Sequence, residues 1–253
     1  MPQQREPVII PVITIDGASG TGKGTVSQLL AKHLGWNFLD SGALYRVLAL
    51  AAEKHQVALS NEKALEALAE YLNVQFIAHQ GAFPTVILEG EDVTDTIRTE
   101  KVGNEASIVG ALPAVRTALL DRQRAFREVP GLVTDGRDMG TVVFPDAEHK
   151  FFLLASPEVR AERRLKQLME KGISVNLADL INELRLRDKR DQERSVAPLK
   201  PADDAVCIHT DNLTVEQVVE RILLSLEGND GKKSFPATTH LTTCEFVQVG
   251  VAE

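Results

Sequence analysis

The chain has 253 residues, 43% of them hydrophobic and 25% charged, with a formal net charge of -8; that length carries one large core with inserted subdomains. The acidic balance excludes nonspecific nucleic-acid binding as a default, so any grip on anions must come from local clusters of Arg and Lys. Cys207 and Cys244 suggest neither a disulfide framework nor a zinc site, no stretch is long and apolar enough to span a bilayer, and Met1 to Pro7 is too polar for a signal peptide, so a reducing cytoplasm fits.

The first predicted element is a buried strand over Val8 to Ile15, a continuous apolar run. Gly17-Ala18-Ser19-Gly20-Thr21-Gly22-Lys23-Gly24-Thr25 follows, and then a helix with Val26, Leu29, Leu30 and Leu34 on its apolar face. A glycine-rich turn between strand and helix is a phosphate cradle. Backbone N–H groups turn inward around an anion, the helix points its positive end at the same spot, and Lys23 reaches the outer phosphates. The strict motif places Ser or Thr after the Lys to hold Mg²⁺. Here Gly24 stands there and the hydroxyl comes one place later, so the metal is expected on nucleotide phosphates and water rather than on a direct protein ligand.

Asp40 to Arg46 precedes a second helix, with Ser41 as its expected cap. On that stretch alone a well-capped helix with one exposed arginine is the simpler reading. From about Leu59 to Ile97 the rhythm changes: a helix carrying Leu65, Leu68 and Leu72, then Val74 to Ala78, a turn at His79 to Gly81, Thr85 to Leu88, a turn at Glu89 to Asp92, and Val93 to Ile97. A small antiparallel meander inserted in the domain is predicted. Pro113 opens a helix whose Arg116 would be assigned to a solvated face.

Further strands are predicted over Leu132 to Thr134, Phe151 to Ala155 and Ala205 to Thr210. The loop Thr134 to Thr141, with Asp135, Arg137 and Asp138, leaves the carboxyl end of a buried strand, where open α/β sheets bind ligands. Ser156 with Pro157 caps another helix, and Glu158 to Ser195 is a helical hairpin rich in arginine, turned around Gly172 and expected to act as a lid. Arg160, Arg163 and Arg164 could swing in with it. Arg187, Asp191 and Arg194 stand at i, i+4 and i+7, and in isolation an exposed ion-pair face is the simpler reading. Thr214 and Gln217 form a capping box for the last helix. None of the six histidines has ligand spacing; His209 is most simply a core or sheet residue. Gly228 to Glu253 lacks periodicity and is expected to be a loosely ordered tail.

Together, Gly17 to Thr25, Asp40 to Arg46, Thr134 to Thr141 and Arg187 to Ala197 resemble the bacterial cytidylate kinases, P-loop enzymes that phosphorylate CMP and dCMP from ATP; the likeness spans about Pro11 to Leu226. The resemblance implies an α/β fold: a parallel P-loop sheet flanked by helices, a small antiparallel NMP-binding subdomain and a helical lid. The implied division is a core over 8–58 and 98–227 with a lid at about 158–195, an insert over 59–97 and a tail over 228–253. The resemblance puts ATP phosphates on Gly17 to Thr25 and the acceptor phosphate on Arg46, Arg137 and Arg194 with Ser41 nearby. It puts cytosine on Ser107, Arg116 and Asp138, and the sugar on Arg187 and Asp191. Asp135 is assigned to orientation or metal-bound water, and Lys23, Arg137 and Arg194 to charge stabilisation, with Mg²⁺ as cofactor and a monomer expected. Cytosine's exocyclic amine beside acceptors at N3 and O2 suits an aspartate and arginine pair. Uracil would leave the aspartate unpaired, at a cost of about 1–3 kcal/mol. A kinase for another small acceptor and a non-enzymatic P-loop switch are the rival readings; the Asn-Lys-x-Asp signature of guanine-binding switches is absent.

Overall fold

The protein is described by a computed structural model covering residues 10–79 and 82–228. Strand β1 (Val12–Gly17) leads through the glycine-rich turn into α1 (Lys23–Leu34), followed by β2 (Asn37–Asp40) and α2 (Ser41–Lys54). Next come α3 (Glu62–Glu70), β3 (Val74–His79), β4 (Ala82–Leu88), β5 (Glu91–Asp92), α4 (Glu100–Val109) and α5 (Pro113–Arg124). The chain closes with β6 (Leu132–Gly136), β7 (His149–Leu154), α6 (Pro157–Glu170), α7 (Leu177–Glu193), β8 (Val206–His209) and α8 (Val215–Gly228).

The main sheet has the order β2-β6-β1-β7-β8, with every pairing parallel. All six residues of β1 and all five of β6 are buried, because helices cover both faces; the apolar run that predicted β1 has this cause. On one face Ile13, Ile15, Val26, Leu30, Ile208 and Ile222 join α1 and α8 to the sheet. On the other, a larger core built on Leu44, Leu48, Leu119, Leu132 and Phe144 extends to Leu65 of α3 and to Val86 and Leu88 of the second sheet, β3-β4-β5, which is antiparallel.

The predicted strand starts agree to a few residues, though Val8 and Ile9 lie outside the described residues, as does the tail after Gly228. Three expectations need correction. β2 was not predicted; it is a four-residue edge strand paired only with β6, too short to show a pattern. Val93 to Ile97 is not a strand: the third strand of the meander is Glu91–Asp92, and Thr96–Arg98 forms a 3₁₀ turn. The cap of α2 is Asp40, which accepts from the Ala43 N–H at 3.1 Å, and not Ser41. The hairpin of α6 and α7 is as predicted, with Gly172 left-handed at φ 74° and a small core of its own around Ala161, Leu168 and Leu180. Cys207 is buried on β8, and Cys244 lies outside the described residues.

Candidate active site

The end of β1 passes so close to β7 that a Cβ on Gly17 would lie 2.5 Å from the Leu153 carbonyl oxygen. Gly20 and Gly22 are left-handed, at φ 82° and 90°, whereas Gly24 already belongs to α1. The outer carbonyls of this turn have partners. Arg160 Nη1 donates to Ser19 O at 2.9 Å, and Thr21 Oγ1 and Lys23 Nζ donate to Ala18 O at 3.0 and 3.2 Å. Thr25 is exposed on the first turn of α1. Lys23 itself is buried, and burial followed by the nearby Arg137 guanidinium lowers its pKa from 10.5 to about 7, against the pull of Asp135 and Asp40.

Across from the turn, α2, the loop after β6 and the C-terminal part of α7 bring four arginines together. Arg46 Nη1 donates to Ile97 O at 2.8 Å, and Arg137 Nε donates to Asp191 Oδ2 at 2.9 Å. Ser107 Oγ donates to the other oxygen of Asp191 at 3.2 Å. Arg187 Nε is buried without a hydrogen-bond partner, and burial with the charges of Arg137 and Arg46 lowers the pKa of Arg187 to about 9. The cluster packs closely against α4 at Gly103: a Cβ there would stand 3.1 Å from Arg46 Nη1 and 3.4 Å from Arg187 Nη1. Asp191 is buried, so the exposed ion-pair face is replaced by a buried arginine–aspartate pair in a functional-looking cleft. Ser41 is buried beside the cluster and donates to Gln123 Oε1 at 2.8 Å.

Arg116 also leaves its predicted solvated face. It is 8% exposed, pairs with Asp138 Oδ2, donates to Gly110 O at 3.0 Å and lies 5.4 Å from the Tyr45 ring centre. Asp138 Oδ1 is 3.6 Å from Arg194 Nη2, too far for a hydrogen bond, so this oxygen stays available as an acceptor. Tyr45, Ser107, Arg116, Asp138, Asp191 and Arg194 all line one small cleft.

The hairpin arginines differ from expectation. Arg160 is fixed by Asp188 and by Ser19 O, and Arg163 donates to Thr210 O, while Arg164 is taken by Glu100 and Arg98 O. These side chains secure the hairpin to its surroundings instead of hanging free over the site.

Among the described residues no group of three acidic, His or Cys side chains could hold a metal directly. Asp135 Oδ1 is nevertheless buried without a partner, and burial with the adjacent Asp40 pushes the Asp135 carboxyl up to about 8. Two carboxylates beside the turn, one with an orphaned oxygen, fit a hydrated divalent cation bound mainly by phosphates.

The Cytidylate kinase family model matches residues 13–227. The chain is 63% identical over 222 residues to a cytidylate kinase of Stutzerimonas stutzeri (strain A1501), covering 87% of this chain and 97% of that protein. It is 61% identical over 219 residues to a cytidylate kinase of Pseudomonas aeruginosa (strain UCBPP-PA14), covering 86% and 96%. It is 61% identical over 220 residues to a cytidylate kinase of Azotobacter vinelandii (strain DJ / ATCC BAA-1303), covering 87% and 96%.

Proposed function

The chain belongs to the cytidylate kinase family, and from that premise we propose which of its residues carry out the transfer of the ATP γ-phosphoryl group to CMP and dCMP. The turn Gly17 to Thr25 seats the donor phosphates on main-chain N–H groups, with Lys23 on the outer ones. Arg46, Arg137 and Arg194, beside Ser41, hold the acceptor phosphate. Arg187 and Asp191 take the sugar, and Ser107, Arg116 and Asp138 read the base. The convergence of Arg137 and Arg194 on one cleft, with Arg194 Nη2 buried and without a hydrogen-bond partner, carries this assignment: guanidiniums crowded together are relieved by a phosphate ester.

The acceptor phosphate oxygen is already ionised at neutral pH. It attacks the γ-phosphorus, the bond to the β,γ-bridging oxygen breaks, and ADP leaves with that oxygen's electron pair; no general base is required. The arginines and Lys23 balance charge spread over the transferred group. The divalent metal typical of such kinases is assigned as Mg²⁺; Asp135 would help hold it through a bound water, with the nucleotide phosphates as its main ligands, and it would supply neutralisation of phosphate charge. Asp138 Oδ1 accepts from the cytosine amine, which uracil lacks. The hairpin is the lid, residues 59–97 are the acceptor-side insert, and the protein works as a cytoplasmic monomer without nucleic acid.

An ADP-release assay with CMP, dCMP, UMP, AMP and no acceptor in parallel tests this. Turnover stimulated by CMP and dCMP above UMP and AMP is expected; consumption of ATP indifferent to CMP would overturn it. Lys23→Ala should abolish turnover while leaving CMP binding largely intact, and CDP formation at the native rate would remove Lys23 from the donor site.

A further inference from the structure

Asp16 is the last charged residue before the glycine-rich turn. It is 4% exposed, and its two carboxylate oxygens accept from the Met139 and Gly140 N–H groups, each at 2.9 Å. Those donors begin the short π-turn Met139–Val143, whose own preceding residue, Asp138, supplies no side-chain cap. Orphan N–H groups at the start of a helical turn need an acceptor, and here it comes from another strand. Asp16 thus ties the end of β1, one residue before Gly17, to the backbone immediately after Asp138. Beyond the clasp the turn is packed closely: a Cβ on Gly140 would stand 2.8 Å from Thr14 Oγ1.

We propose that Asp16 is a positioning residue for base selection, its carboxylate fixing the Asp138–Gly140 backbone so that the Asp138 side chain meets Arg116 and the base at the correct place. The inference rests on the assignment of Asp138 to the base. Asp16 touches neither substrate and acts only through that backbone. Asn at position 16 retains one acceptor oxygen and presents an NH₂ to the second N–H, so one arm of the clasp is lost. A merely structural role would lower the amount of active enzyme equally for every acceptor. A positioning role instead changes the ratio of kcat/KM for CMP to that for UMP.

Asp16→Asn and Asp138→Ala are compared with the native enzyme at pH 7.5, with thermal melts to confirm folding. At least a tenfold fall in the CMP/UMP ratio is expected for both. A ratio within twofold of native for Asp16→Asn, with Asp138→Ala lowered, overturns the inference and spares the base assignment; an unchanged ratio for Asp138→Ala sinks that assignment, and the inference with it. Should Asp16→Asn fail to fold, the native enzyme decides. Burial raises the Asp16 pKa to about 6, aided by Asp138 and opposed by the two backbone bonds and Arg137. Asp135 on β6 is the other carboxylate acting on it. Below that pH one of the two oxygens carries a proton and becomes a much weaker acceptor, so the clasp loosens and the ratio should narrow between pH 7.5 and 5.5. Ionisation of the acceptor phosphate cancels between CMP and UMP; a flat ratio overturns the inference.

Discussion

Lys23 and Gly103 show how far single residues carry the site. Lys23 binds fewer protons in the folded chain than in the unfolded one between pH 7 and 10.5, so its contribution to stability rises with pH across that window and is a penalty below it. Burial disfavours its ammonium form, and a phosphate seated on the turn, as proposed above, would favour it. Binding of ATP without metal at pH 8 should therefore take up close to one proton, seen as a dependence of calorimetric heat on buffer ionisation enthalpy; Lys23→Met should abolish it. Gly103→Val should drive a side chain into Arg46 and Arg187, raising the KM for CMP at least tenfold and leaving the KM for ATP within about twofold, as initial rates would show. Lys23 was legible because it belongs to a local pattern. Gly103, Tyr45, Asp16 and Gln123 were not: each matters through a partner far along the chain, such as Gln123 through Ser41, 82 positions away. Only Asp16 left a trace, as a charge ending an apolar strand.

At the scale of elements, the chain announces its helices well because capping is local chemistry. Ser156 Oγ accepts from the Val159 N–H at 3.3 Å, and Thr214 with Gln217 makes both bonds of its capping box, as the spacing predicted. Ser156→Ala should lower stability by about 1 kcal/mol, measured by denaturant unfolding, with little effect on CMP/UMP discrimination. Strands were legible where both faces are buried and poorly legible at edges. β2 and β5 have four and two residues, and their existence depends on what lies alongside. The apolar Val93 and Ile97 suggested a strand, but they serve the core from an irregular segment and a 3₁₀ turn. Likewise Arg187 and Asp191 had the spacing of a solvated helix face; what buries them is α4, which periodicity within α7 cannot reveal.

For the whole molecule, a net charge of -8 surrounds a cleft that gathers arginines. The cluster therefore selects small anions and should not hold a polyanion: at physiological salt the protein should leave a DNA duplex unshifted in a mobility assay, whereas retardation would reopen the question of nucleic-acid partners. The parallel architecture was readable from the alternation of apolar runs with helical spacing, since β1, β6 and β7 must be covered on both sides. How the hairpin is attached was not readable, and it governs movement. Arg160 bridges the start of α6, the Asp188 carboxylate on α7 and the Ser19 carbonyl in the phosphate turn. The root of the hairpin is thereby riveted to the backbone of the glycine-rich turn, at the end opposite the distal loop about Gly172. For the lid proposed above, closure would then be a bending of its far end, its root travelling with the glycine-rich turn as one piece.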